Sequence, residues 1–236
     1  MPEPVEAVLF DFSGTLMRAE PPDRRVAELL AEAGVGLPDG EVHRWARRLE
    51  RSGGLPGGHA KAALIPDEIR GTWERRDLDP AAHRGAYTWL INNSGWPWPE
   101  LADALYDKCT RPGDWAPYPD TLPALTALAG RGIRTAVVSN IGWDPRPVLV
   151  AHGIADLVDA ILLSYEEGCA KPDPALFRKA CARLGSDRAR TLMVGDDRRA
   201  DGGAEAVGIR TFFVDPVPVA ERPTGFGPLL AAAGVG

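Results

Sequence analysis

The feature of this sequence that most restricts its fold is a repeated alternation between short apolar runs and helical patterns. The apolar runs that we interpret as buried strands cover residues 5–10, 133–138, 158–163, 192–194 and 209–214. Amphipathic patterns lie between them, as at 121–131 and 174–184, and Asp173 with Pro174 is a typical helix start for the second. Strands that alternate with helices predict a parallel sheet covered by helices on both faces. We therefore expect an α/β protein with a Rossmann-like core.

The segment after the first strand has a different character. It contains no clear strand pattern, but it has amphipathic stretches at 23–33, 41–51 and 99–110. It returns to the core through RPGDWAPYP, which is rich in residues that break helices. We expect an all-helical cap domain at 18–112, inserted into a core made of 1–17 and 113–236. A cap in this place would cover whatever the first strand presents at its end.

Composition excludes several classes of function. The 236 residues carry a net charge of -6 with acidic and basic residues interspersed, which is unlike a nucleic-acid-binding surface. Apolar runs are too short to cross a bilayer, and the N-terminus has no secretion signal, so we expect a cytoplasmic protein without a membrane partner. The three cysteines form no C-x-x-C pair, which argues against a disulfide framework or a zinc site. The sequence leaves the oligomeric state open.

Residues that can carry chemistry follow the ends of the predicted strands. They are Asp11, Ser13 and Thr15 after the first, Ser139 and Asn140 after the second, Lys171 after the third, and Asp196, Asp197 and Asp201 after the fourth. Ligands of open parallel sheets bind beyond the carboxyl ends of the strands, so these side chains are expected to converge. Carboxylates placed together repel unless a cation lies between them, and oxygen ligands favour Mg²⁺. With a lysine and a hydroxyl nearby, the group predicts a site for Mg²⁺ and a small phosphorylated substrate.

Four motifs carry a family resemblance. FDFSGT, VVSN, KPDP and VGDDRRAD, in this order, resemble the four motifs of the haloacid dehalogenase-like superfamily. The resemblance spans the whole presumed core. It implies that Asp11 attacks phosphorus and is transiently phosphorylated, while Lys171 steadies Asp11 and the developing charge. It also implies that Ser139, beside Asn140, hydrogen-bonds the phosphoryl oxygens.

The same resemblance implies a set of metal ligands. Mg²⁺ would be held by the carboxylates of Asp11 and Asp196 and by the backbone carbonyl of Ser13. Asp197 or Asp201 would support the metal through water or by orienting its ligands. We also expect Gly14 to allow a sharp backbone turn close to the phosphate, and Thr15 to donate a hydrogen bond there.

Position 13 departs from the usual pattern. Most phosphatases of this superfamily have an aspartate there, which protonates the leaving group, whereas this chain has Ser13. General acid-base catalysis is worth about 10²–10⁴-fold in rate, so we expect slow turnover of alkyl phosphates unless the cap supplies the proton. The loss matters less for substrates whose leaving group is a weak base. His59, in SGGLPGGH, is the cap residue that we consider best placed to supply the proton.

Three hypotheses about function remain open at this stage. The first is a Mg²⁺-dependent phosphatase of a small phosphorylated metabolite. The second, which Ser13 motivates, is a catalytically impaired member that binds a phosphorylated ligand or a partner. The third is hydrolysis of a carbon–phosphorus or carbon–halogen bond. For a carbon–phosphorus bond, Lys61 and Lys108 are the cap lysines that could form a Schiff base. For Trp89, Trp96 and Trp98 we expect a place in the core of the cap rather than a wall of a substrate site.

Overall fold

A five-stranded parallel sheet forms the centre of the protein. The computed structural model describes residues 4–38, 40–57, 65–222 and 225–234. Its strands are β1 (Ala7–Phe10), β2 (Met17–Ala19), β3 (Trp115–Pro117), β4 (Arg134–Ser139), β5 (Ala160–Leu163), β6 (Thr191–Gly195) and β7 (Arg210–Phe213). The order in the sheet is β5-β4-β1-β6-β7, and β2 pairs with β3 in a separate antiparallel ribbon. This confirms the predicted α/β fold, with β1 at the centre.

Both faces of the sheet are buried, as the apolar runs predict. Val8 and Phe10 of β1 join one apolar cluster, whereas Ala7 and Leu9 join a second cluster on the opposite face. Side chains alternate between the two faces of a strand, so a strand covered on both faces must be apolar throughout. The first strand is therefore fixed in the core, and its carboxyl end can hold a side chain in a defined position.

Helices cover the sheet and also fill the segment between β2 and β3. They are α1 (Pro22–Glu32), α2 (Glu41–Arg51), α3 (Asp67–Arg75), α4 (Pro80–Asn93), α5 (Ala102–Cys109), α6 (Thr121–Ala129), α7 (Arg146–Ala151), α8 (Ser164–Glu167), α9 (Pro174–Leu184) and α10 (Gly227–Ala232). Asp173 caps α9 as expected, because its side chain accepts a hydrogen bond from the backbone N–H of Ala175 at 2.8 Å. None of the helices in the described ranges is long and apolar enough to cross a membrane.

Helices α1–α5 form what we call the helical insert. Apolar side chains of α1, α2, α4 and α5 pack into a cluster of their own, which includes Leu30, Leu49 and Leu105. Trp96 is buried in this cluster and Trp98 packs against it, which agrees with the core role that we expected for both. The division into a core and a cap at 18–112 stays a prediction.

The ribbon at the base of the insert was not predicted. β2 pairs with β3 over three residues and spans the predicted boundary after residue 17. Met17 and Ala19 pack into the core cluster on one face of β2, so Arg18 between them lies on the other face. Such a short strand gives too little alternation to be distinguished from a loop in the sequence.

Candidate active site

The position of Asp11 follows from the sheet order. β1 lies between β4 and β6, so the residues that follow these three strands are neighbours at one edge of the sheet. Asp11 continues the ladder by one residue, because its N–H donates to the Val194 carbonyl at 2.9 Å. Asp11 as a whole is 8% exposed. The carboxylate is therefore held rigidly at the place where parallel sheets bind ligands.

Lys171 is held in this site by Asn140 and by two carboxylates. The Asn140 side chain donates to the Lys171 carbonyl and accepts from the Lys171 N–H, both at 2.7 Å. The Lys171 ammonium lies 2.6 Å from Asp11 Oδ1 and 2.6 Å from Asp201 Oδ1. Asn140, predicted as a substrate ligand, here binds the backbone of the lysine.

Burial and charge set the protonation of this group. Burial raises the pKa of Asp11 to about 7, with Lys171 acting in the opposite direction and Asp201 and Asp196 adding to the rise. Burial alone would lower the pKa of Lys171, but the carboxylates of Asp11 and Asp201 outweigh it and raise that pKa. The lysine therefore stays charged, while Asp11 needs a further positive charge to remain ionised in the site.

Three carboxylates form an oxygen cluster that could hold a cation. Asp11, Asp196 and Asp201 each present an oxygen, and these oxygens lie within 4.8 Å of one another. When ionised, three carboxylates and the Lys171 ammonium carry two net negative charges, which one divalent cation would neutralise. A hard cation with oxygen ligands matches both the charge and the donor atoms of the cluster.

Gly14 allows the nucleophile loop to approach this cluster. It has φ +84°, and a Cβ built there would lie 2.7 Å from Asp196 Oδ2. Its N–H donates to the Met17 carbonyl at 2.7 Å, which closes the turn. Only glycine combines this backbone conformation with that contact, so the structure supports the predicted reason for a glycine here.

The other predicted site residues differ in what the structure places around them. Ser139 is buried at the end of β4, and Ser13 is half-buried after β1. The hydroxyl of Thr15 is buried and has no hydrogen-bond partner within the described part of the chain. Asp197 is not in the oxygen cluster; its Oδ1 accepts from the backbone N–H groups of residues 199 and 200, as the cap of a turn does. Metal and substrate roles for these residues stay predictions.

Arg222, which was not predicted as a site residue, supports the nucleophile loop. Its buried guanidinium donates to the carbonyl of Gly14 at 2.9 Å and to the carbonyl of Thr15. It also stacks on the ring of Tyr118, 3.1 Å from the centroid. A residue more than 200 positions away in the chain therefore fixes the turn behind Asp11.

Arg18 also lies at the site without having been predicted. It is 9% exposed, and burial lowers its pKa, an effect that nearby Tyr118 and Asp196 partly offset. The only sequence signal for Arg18 as a site residue was its place seven residues after the nucleophile, Asp11.

Aromatic side chains of the core pack around Phe12, next to the nucleophile. Phe12 contacts Trp115 and Trp143, with ring centroids 4.8 and 6.1 Å away, and the two tryptophans lie 5.7 Å apart.

Of the cap residues considered from the sequence, Lys108 is buried and pairs with Glu32 at 2.8 Å, so it is not positioned as a reactive amine. His59 and Lys61 lie outside the described residues.

Comparisons with known proteins bear on the family of this chain. The family model for haloacid dehalogenase-like hydrolases matches residues 5–208. The phosphoserine phosphatase of Thermus thermophilus is 36% identical over 118 residues, which cover 49% of this chain and 46% of that protein. The chain spans about half the length of the curated relatives it matches.

Solved structures show the same fold at low sequence identity. The Bacillus subtilis HAD-hydrolase YfnB, solved bound to magnesium, has a TM-score of 0.65 at 14% identity, covering 99% of this chain and 100% of that one. The L-2-haloacid dehalogenase of Xanthobacter autotrophicus has a TM-score of 0.62 at 21% identity, covering 98% and 87%. Since the family model covers most of the chain and the site has the arrangement described above, this protein belongs to the haloacid dehalogenase-like hydrolases.

Proposed function

We propose that this hydrolase is a Mg²⁺-dependent phosphatase that acts on a small phosphorylated metabolite through a phosphorylated Asp11. The observation that carries the proposal is the buried Lys171, which lies 2.6 Å from two of three clustered carboxylates. Phosphoryl transfer depends mainly on positioning and on neutralising charge, and this site concentrates both.

The chain's own groups account for the substrate side of the reaction. The Asp11 carboxylate attacks phosphorus and forms an acyl-phosphate bond while the bond to the leaving oxygen breaks. Lys171 draws charge from the transferring group, and Ser139 and Thr15 offer hydroxyls to the phosphoryl oxygens. Water then attacks the acyl phosphate, releases inorganic phosphate and restores the Asp11 carboxylate.

The residues present fit the divalent cation that the family uses. Asp11 and Asp196 would hold it, together with the Ser13 carbonyl, and Gly14 leaves the space in which the Asp196 carboxylate lies. When bound, Mg²⁺ neutralises the carboxylates and the phosphoryl group and so allows an anion to approach an anion. Asp201 has a different role. It pairs with Lys171 and accepts a hydrogen bond from the Asp197 N–H at 3.0 Å. We infer that Asp201 orients the loop of Lys171 and the loop of Asp197.

Relatives support phosphate chemistry but do not name the substrate. Curated relatives of similar identity include a phosphoserine phosphatase and a ribulose-1,5-bisphosphate 5-phosphatase, each matched over about half its length. The likeness to a haloacid dehalogenase concerns the fold alone. Three clustered carboxylates with a single lysine favour a reaction that uses a divalent cation, so we place phosphate esters before carbon–halogen bonds.

A panel of phosphate compounds with and without Mg²⁺ tests the proposal. It should include alkyl phosphates, acetyl phosphate, a phosphonate and a 2-haloacid. We expect phosphate release that depends on Mg²⁺ and disappears in Asp11→Asn, whereas Asp156→Asn, at an exposed site, keeps the wild-type rate. Undiminished release by Asp11→Asn would refute the mechanism.

The same panel separates the second candidate, an impaired member that binds a phosphorylated ligand. Ser13 motivates it, because the usual acid is absent from that position. No turnover of any compound, combined with a rise in melting temperature on adding one of them, would favour the binder. A cytoplasmic location and the absence of nucleic-acid and membrane partners stay predictions from the sequence.

A further inference from the structure

The proposed reaction needs a proton donor that Ser13 cannot supply. A serine hydroxyl does not give up a proton near neutral pH, and its place after β1 is where the family's usual aspartate stands. A donor must reach the leaving oxygen from another element. The helical insert meets the core close to the site at the turn between α3 and α4, residues 76–79.

This turn is fixed to the core by main-chain contacts. The Ser164 hydroxyl, at the start of α8, donates to the Asp77 carbonyl and accepts from the Ile141 N–H at 2.9 Å. Gly142 packs directly against the Arg76 carbonyl and His83, where any Cβ would overlap both. The turn therefore rests on the loop that follows β4.

A series of contacts connects that loop to the nucleophile. Ile141 follows Asn140, and Asn140 holds Lys171 with two hydrogen bonds of 2.7 Å. Lys171 in turn lies 2.6 Å from Asp11. Burial raises the pKa of the half-buried Asp77 carboxyl, and the Lys171 charge is one of two that oppose this rise. Asp77 is thus an acidic side chain of the insert within electrostatic reach of the catalytic lysine.

We propose that Asp77 is the catalytic acid and base of this hydrolase, taking the part that Ser13 cannot perform. The proposal rests on the proposed phosphatase function and adds a residue to it.

Burial and two nearby cations act in opposite directions on the pKa of the Asp77 carboxyl. Burial raises its pKa, while Arg76, with Nη2 at 3.1 Å from Asp77 Oδ2, and Lys171 lower it. His83 lies at the same contact with the core, but burial lowers its pKa to about 3, so it remains neutral and has no imidazolium proton to give. Asp77 is therefore the better donor of the two.

The proton balance of the two steps is complete with Asp77. In the first, Asp11 bonds to phosphorus and the protonated Asp77 gives its proton to the departing alkoxide, which leaves as an alcohol. In the second, ionised Asp77 takes a proton from the water that attacks the acyl phosphate. Phosphate leaves, and both carboxyl groups return to their initial states.

Asp77→Asn tests the proposal without disturbing the anchor, because the Ser164 hydroxyl contacts only the main-chain carbonyl of Asp77. We expect it to lower turnover of alkyl phosphates by about 10²–10⁴-fold. With 4-nitrophenyl phosphate the first step should survive, giving a burst of one nitrophenolate per site and a phosphorylated Asp11 that hydrolyses slowly. Ser13→Asp added to Asp77→Asn should restore part of the alkyl phosphate turnover.

Asp79→Asn is the matched control. Asp79 lies two residues after Asp77 and caps α4 by accepting a hydrogen bond from the Ala81 N–H. Asparagine can cap a helix in the same way, so Asp79→Asn should keep the wild-type turnover rates. Alkyl phosphate turnover by Asp77→Asn equal to that of Asp79→Asn, with Asp11→Asn inactive, would overturn the role of Asp77 and leave the proposed function intact. No phosphate release by the wild-type chain itself would overturn both.

Discussion

Replacing Gly14 by alanine tests how closely the nucleophile loop and the metal cluster are fitted together. The new Cβ would lie 2.7 Å from Asp196 Oδ2, whereas ordinary contacts begin near 3.4 Å, so the two groups must separate by 0.7 Å. The loop cannot easily retreat, because Gly14 is bonded to Met17 through its N–H and to Arg222 through its carbonyl. We therefore expect the Asp196 carboxylate to move.

Gly208→Ala separates this displacement from the cost of the backbone conformation. Gly208 has φ +83°, almost the same as Gly14, but nothing lies within 4 Å of its Cβ position. Both variants should lose about 1–2 kcal/mol of stability, the cost of the left-handed conformation for an L residue. Only Gly14→Ala should also change the site, since a misplacement near 1 Å can reduce a rate by about 10²-fold.

Phosphate release from 4-nitrophenyl phosphate as a function of Mg²⁺ concentration measures this difference, and urea unfolding measures the stability. Gly14→Ala should need about tenfold or more Mg²⁺ for half-maximal activity, while Gly208→Ala stays close to the wild type. If both variants lose equal stability and show the same Mg²⁺ dependence, Asp196 does not hold the cation in the way we describe.

Three further predictions concern stability. Arg222→Met should lower the free energy of unfolding in urea by about 2–4 kcal/mol, because the Gly14 carbonyl is left buried without its charged donor, and Arg222→Lys should lose less; equal losses would show that the guanidinium geometry is unimportant. Without divalent cations, Asp11 has its pKa raised to about 7 from 3.8, so its contribution to stability is present below pH 3.8 and is lost as pH rises through 7. Asp11→Asn should thus melt increasingly above the wild type between pH 4 and pH 8 in EDTA, and a constant difference would contradict this. Burial lowers the pKa of His83 from 6.5 to about 3, so the free energy of unfolding falls below pH 6.5 by up to about 1.4 kcal/mol per pH unit. His83→Gln should reduce that slope in a series of urea unfolding curves from pH 4 to pH 7.

Because position 13 is a serine, the proposed mechanism places the catalytic acid on the helical insert. A phosphatase that keeps its acid on the helical insert, rather than beside the nucleophile, would be competent only when the insert rests on the core. The contact of Gly142 with the Arg76 carbonyl defines that state. Substrates whose leaving groups are weak bases would depend less on this contact than alkyl phosphates do.

The strands and the polar residues at their ends could be predicted from the sequence. Apolar runs such as 5–10 and 209–214 are strong signals because strands buried on both faces must be apolar at every position. The order β5-β4-β1-β6 then brings Asp11, Lys171 and Asp196 together, as ligand sites at the carboxyl ends of parallel strands require. The sequence by itself thus determined the fold class and the composition of the cluster.

Contacts between distant segments were decided by the tertiary structure. Arg222 and Asp77 look like ordinary surface residues in the sequence, since neither lies in a motif or a periodic pattern. Their importance comes from partners more than 80 residues away, Gly14 for Arg222 and Ser164 for Asp77. Local sequence encodes the conformational preference of a segment and the face it buries, but which segments then meet is determined by the packing of the whole chain.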